Sequence, residues 1–176
     1  MNSQQIETPF RKRRKYTYGM VLSAEDFEQE FAYFSDRMRW LNRMVLGYGT
    51  IEGLEVTSSE DTATSILVNA GMAIDPQGNE ILLPSAVECP FPDEEKVVYL
   101  VLYWAERDTD PLPAPDADGK ENGTVPSHVE EFAVLKYEAD QSNDKPTGVA
   151  LARLKTVRGK WEIDKTFHVR KVRAKR

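Results

Sequence analysis

Two histidines, one cysteine and 29 side-chain carboxylates are what this chain offers for acid–base, nucleophilic or metal chemistry. Catalysis needs such groups gathered and tuned by one another. Here they are dispersed. His128 and His168 fall in a loop and a terminal strand, each beside charged neighbours. Cys89 precedes Pro90 without a nearby partner and reads as a small buried apolar residue. The stretch Asp116-Ala-Asp118-Gly119-Lys-Glu121-Asn122 resembles the middle of a calcium loop. With Gly119 at the sixth position, however, positions one and twelve fall on Ala114 and Val125, where ligands are required. It reads as a solvated loop. There is no Gly-x-Ser-x-Gly elbow, His-Glu-x-x-His pair, phosphate-cradling glycine loop or Cys-x-x-Cys. The scattered carboxylates nominate no glycosidase pair. The expectation is a protein that is not an enzyme, with no catalytic residue, metal or cofactor.

The bulk composition fits one soluble domain. A chain of 176 residues with 40% apolar and 30% charged side chains can bury roughly 70% of its unfolded surface. No run approaches the roughly 18 apolar residues of a membrane span, so no direct membrane insertion is expected. The N-terminus has no apolar signal-peptide segment, and a single cysteine suits a reducing compartment. The expected location is cytoplasmic. The net charge of −6 hides an asymmetry: residues 1–15 sum to +4, residues 165–176 to +6, and the remainder to −16. Residues 1–15 are read as a flexible basic arm and 16–176 as a single domain. Arg11, Lys12, Arg13, Arg14 and Lys15 are expected to contact an acidic surface, the chain's own or a partner's. Nucleic acid is not expected, because the acidic body repels phosphate.

One element dominates the reading. From Ser23 to Gly47 the spacing predicts a helix. Ser23 serves as N-cap with Asp26 three residues on, acids lie early, arginines lie late, and Gly47 ends it. Phe27, Phe31, Phe34, Met38, Leu41 and Val45 recur at spacings of 4, 3, 4, 3 and 4, all within about 40° of one line. Tyr33, Trp40 and Met44 form a second line about 100–140° away. One stripe is expected to pack on the rest of the domain and the other to meet a partner or sister chains. The 4-3 spacing is that of a coiled-coil seam, and three bulky Phe residues favour a trimer over a tight pair. An alternative is a single wide face, covered by a sheet and by the Tyr16–Leu22 leader.

After the helix come short strands and turns: Thr50–Thr57, Ser65–Asn69, a hairpin over Met72–Pro84 turning at Pro76-Gln-Gly78, the strongly apolar Lys96–Ala105, Glu130–Glu138, Val149–Val157 and Lys160–Asp164. The proline- and glycine-rich segment Arg107–Ser127 reads as a loop. The fold class is α+β, one long N-terminal helix followed by an antiparallel β-sandwich or barrel-like domain.

Three stretches carry a resemblance. Tyr18-Gly-Met-Val-Leu-Ser-Ala-Glu-Asp-Phe27, then Gly47-Tyr-Gly-Thr-Ile-Glu-Gly-Leu-Glu-Val56, then Val68-Asn-Ala-Gly-Met-Ala-Ile-Asp-Pro-Gln-Gly-Asn-Glu-Ile-Leu-Leu-Pro84 resemble the opening of phage-tail-like baseplate and tail-fibre-attachment proteins. In particular they resemble the N-terminal shoulder of the trimeric type VI secretion baseplate subunit. Coverage is about residues 16–105. The resemblance implies a non-enzymatic β-sandwich shoulder, a homotrimer docking on a baseplate wedge or other tail proteins of a contractile injection system. A ligand- or carbohydrate-binding β-domain, with Tyr103, Trp104 and Trp161 lining a concave site, is the competing expectation.

Overall fold

A computed structural model describes residues 12–58, 64–93, 97–115, 121–139 and 147–172. Arg11, most of the candidate calcium loop and the basic residues past 172 lie outside them. The helix begins where the sequence places it. Ser23 and Asp26 form the capping box, the Ser23 amide donating to the Asp26 carboxylate at 3.1 Å. The α-helix α1 runs Ala24–Leu41 and gives way to a single π-helical turn at Asn42–Leu46. The Gly47 amide closes that turn on the Asn42 carbonyl at 2.9 Å. The helix is thus shorter in its α part than the spacing predicts, and Met44 and Val45 sit on the wider turn.

Among the described residues ten strands follow: β1 Gly49–Gly53, β2 Val56–Ser58, β3 Ser65–Val68, β4 Gly71–Ile74, β5 Glu80–Leu83, β6 Val87–Pro90, β7 Val98–Pro115, β8 Glu121–Glu138, β9 Val149–Val157 and β10 Lys160–Ile163. They pair antiparallel into sheets ordered β1-β4-β5, β2-β3-β6 and β10-β9-β7-β8. The arrangement is α+β and sandwich-like: three sheets among the described residues, rather than one closed barrel. The expected strand Thr50–Thr57 is two strands in different sheets. Gly53 and Leu54 both take left-handed φ values, 65° and 63°, and switch the chain between sheets while Leu54 is buried in the core. Ile66, Val68, Ile81, Leu100, Leu102, Leu151 and Leu154 complete the centre of that core. Cys89 is buried there too, and burial raises its thiol above the usual range.

The largest departure concerns Arg107–Ser127. It is no loop. β7 and β8 stay in register from Tyr99 opposite Glu138 out to Pro113 opposite Thr124, whereas β9 pairs with β7 only over Val98–Leu102. Beyond that point the two strands form a free ribbon. Neither has a second neighbour among the described residues, so Pro111, Pro113 and Pro126 remove no ladder bond.

Candidate assembly interface

The β4–β5 turn builds the seat on which the helix stands. Asp75 is buried, and its carboxylate accepts the amides of Gln77 at 2.9 Å and Asn79 at 2.8 Å and the Asn79 side chain at 2.7 Å. That clamp tightens the turn and presents Gly78. Asn42, buried at the end of α1, donates from Nδ2 to the Gly78 carbonyl at 3.0 Å and to Glu80 at 3.3 Å. Gly78 has φ of 93°, and a Cβ there would lie 2.2 Å from the Arg39 carbonyl oxygen. Only glycine allows so close an approach. The Arg39 guanidinium lies over the Trp104 ring, 5.5 Å from its centroid.

The helix therefore meets the β-domain at its base through Arg39 and Asn42, on neither apolar line. This overturns the expectation that one stripe packs on the sheet. No residue of α1 is buried. Phe27, Phe31, Phe34, Met38, Leu41 and Val45 are 47 to 70% exposed. Trp40 and Met44 are also exposed, and Tyr33 is half-buried. The single wide face covered by a sheet is not formed either. A groove of about 480 Å³ joins the two lines, with Tyr33 and Arg37 on one side and Phe34, Met38 and Leu41 on the other.

Arg13 lines the same groove. Arg14 pairs with Asp26 and the Tyr16 hydroxyl donates to Glu30, which raises the Tyr16 pKa. Of the arm, Arg14 thus meets an acid of its own chain, Asp26 in the first turn of α1. Lys12 and Lys15 are exposed.

Of the groups weighed for chemistry, His128 is the best placed. The Ser127 hydroxyl lies 2.8 Å from His128 Nδ1, and Asp110 Oδ2 lies 3.4 Å from the same nitrogen. A hydrolytic triad needs serine and carboxylate on opposite ring nitrogens, so this exposed cluster is not one. Among the described residues no group of three or more His, Cys, Asp and Glu is arranged to hold a metal. No helix there is long and apolar enough to cross a membrane.

The three aromatics of the competing reading do not share a surface. Tyr103 and Trp104 are adjacent on β7 and so point to opposite faces. Tyr103 bonds Glu138, and burial with that bond pushes its pKa up to about 12. Trp104 and Trp161 both pack against the core, and Trp161 stacks on Phe91 at 6.0 Å. The residues that the sequence did not single out are Asn42 and Asp75. Asp75 lies inside the quoted hairpin stretch, whereas a lone Asn between Leu41 and Arg43 carries no pattern.

No protein-family model matches the chain, and no curated protein matches it in sequence. Solved structures do. The chain is similar to a component of the baseplate complex from the type VI secretion system, with a TM-score of 0.55 and 16% identity over 90% of this chain and 59% of that one. It is similar to a chain of the type VI secretion TssK-TssF-TssG baseplate subcomplex, with a TM-score of 0.54 and 19% identity over 90% and 61%. It is also similar to the crystal structure of TssK, with a TM-score of 0.53 and 18% identity over 87% and 40%. The chain spans 40 to 61% of the length of these neighbours. At such identities the likeness is one of fold: this chain has the fold of part of a type VI secretion baseplate protein.

Proposed function

We propose that this chain is a structural subunit of a phage-tail-like contractile injection system, a baseplate or fibre-adaptor component that acts by assembly and not by catalysis. The observation that carries the reading is an 18-residue helix without a buried residue, lined by large apolar side chains at seam spacing. Burying each Phe or Met would stabilise an assembly by roughly 1.5–3 kcal/mol. A contiguous exposed patch of this kind marks an interaction surface. The fold likeness to baseplate components supports the same conclusion. In this reading α1 pairs with the α1 helices of sister chains, three in number because of the Phe bulk. Residues 16–176 act as one unit with 1–15 as an arm, and the assembled β-domains dock on wedge proteins in the cytoplasm.

The mass of the purified chain in solution tests it, together with co-purification with sheath, tube or wedge proteins. A trimer that becomes monomeric in the Phe31→Ser, Met38→Ser variant is expected. A monomer at micromolar concentration that captures none of those proteins would overturn the proposal.

A further inference from the structure

The outer ribbon and the base of the helix carry two surfaces that match each other. Paired residues share a face of a two-stranded ladder, and faces alternate along it. Glu106, Asp108, Val129 and Glu131 therefore continue the face of β7–β8 that inward carries Leu100, Leu102 and Trp104. Glu106 stands directly opposite Glu131, a like-charge pairing that is unfavourable in isolation. The neighbouring cation gives no relief: Arg107 is on the other face, bonded to Glu130 at 2.8 and 2.7 Å. Further out, Leu112 and Val125 oppose each other, and both are exposed, as is Val129. Residues 106–131 hold eight acidic side chains and two basic ones. The ribbon is acidic, with the exposed pair Leu112 and Val125 in its outer described part.

The complementary surface lies where the π turn meets the C-terminal segment. That segment adds to the edge of β1. The Thr50 amide donates to the Arg170 carbonyl at 2.9 Å and the Val172 amide to the Thr50 carbonyl at 3.0 Å, and the Arg170 guanidinium covers the Tyr48 ring at 3.8 Å. Gly49 makes this possible, since a Cβ there would lie 2.4 Å from the Arg170 carbonyl oxygen. The result is a groove of about 790 Å³ with Met44, Leu46 and Val172 among its apolar lining and Arg43, Arg170 and Lys171 among its cations. Its charge is opposite to the ribbon's.

We propose that the β7–β8 ribbon of one copy docks in the groove between helix base and C-terminal segment of a second copy. The placement favours another copy over the same one. The groove borders β1 at one edge of the β1-β4-β5 sheet, and the ribbon is rooted beside β5 at the other. Matching surfaces at opposite edges make a head-to-tail contact, which closes rings or propagates. From Ala105 to Pro115 the ribbon spans about 35 Å at strand rise, ample to reach a neighbour.

The inference rests on the reading that the chain works in several copies, and the test separates the two contacts. Self-association of the full chain is measured by sedimentation for the wild type, for Glu106→Lys with Asp108→Lys, for Arg43→Glu, and for the combination of all three substitutions. Each one-sided reversal is expected to weaken association by at least about tenfold, and the combination to recover most of it. A 1:1 mixture of the two one-sided variants is expected to associate better than either alone. Reversals that leave association unchanged, or a combination no better than its parts, would overturn the ribbon contact. If such indifference accompanies dissociation by Phe31→Ser with Met38→Ser, the helix contact stands and the ribbon contact falls. The opposite pattern sinks the helix contact and keeps the ribbon.

Discussion

Asn42 Nδ2 lies 3.0 Å from the carbonyl oxygen of Gly78, and this bond ties the base of an otherwise unburied helix to the β-domain. Both partners are the ends of rigid pieces. Asn42 closes α1, and Gly78 tops a turn held by Asp75. Replacing Asn42 with Ala leaves a buried carbonyl without its donor, which costs about 1–3 kcal/mol. Urea unfolding is expected to show that loss. Spin labels at positions 28 and 82 are expected to show a broader distance distribution than in the parent chain, because the helix loses its orientation.

Gly78→Ala attacks the same joint from the other side. The new methyl meets the Arg39 carbonyl, and a left-handed φ adds strain of about 1–3 kcal/mol. The expected outcome is a destabilised protein whose helix base has moved away from the turn. A crystal structure with Arg39 and residue 78 at unchanged separation would contradict it.

The sequence spelled out elements whose cause is local. Ser23 with Asp26, and the Pro76-Gln-Gly78 turn, rest on interactions within four residues, so type and spacing reveal them, whereas the Asp75 clamp inside that turn was seen only in the structure. The central β7 segment is visible because its residues are apolar in succession. The ribbon was hidden because proline argues against a strand only where a neighbour needs its amide, and the lack of such a neighbour beyond Leu102 is a tertiary fact. Helix docking was hidden for a related reason. Periodicity identifies apolar faces but not which of them the chain itself covers, and here Asn42, the close approach of Gly78 to the Arg39 carbonyl and the Arg39 guanidinium over Trp104 make the joint. The two apolar lines of α1 were legible as lines, and one was expected to face a partner; that both are exposed was not legible.

Asp164 predicts an acid limb. It is buried between β9 and the C-terminal segment. The Thr166 hydroxyl donates to it at 2.8 Å, the Thr166 amide at 3.1 Å, Lys155 at 3.2 Å and Arg153 at 3.3 Å. The Thr166 bonds, with Lys155 beside them, lower its pKa from 3.8 to about 2. A depressed carboxyl stabilises the fold fully above its unfolded value, near about 4, and that contribution disappears as pH falls through about 2. Denaturation midpoints of the parent are expected to drop across this window. Asp164→Asn is expected to be less stable at neutral pH, with a shallower drop below pH 4.

The ribbon should be separable from the fold. Among the described residues its outer strands pair only with each other and contribute nothing to the core cluster. Replacing residues 107–130 by a two-residue type I′ turn is expected to shift the melting midpoint by less than about 4 °C. A fall much larger than this would mean the ribbon supports the β-domain.

The exposure of α1 gives the sharpest thermodynamic expectation. Phe31 and Met38 bury little within one chain, so Phe31→Ser with Met38→Ser removes almost no protomer stability. In an assembly the same changes forfeit about 3–6 kcal/mol per chain at two apolar side chains. Mass action then separates the cases. The parent's melting midpoint is expected to rise with protein concentration, while the variant's stays flat and meets the parent's at low concentration. A variant that melts far below the dilute parent would show that these side chains stabilise the single chain, and a parent insensitive to concentration would remove the reason to place them between copies.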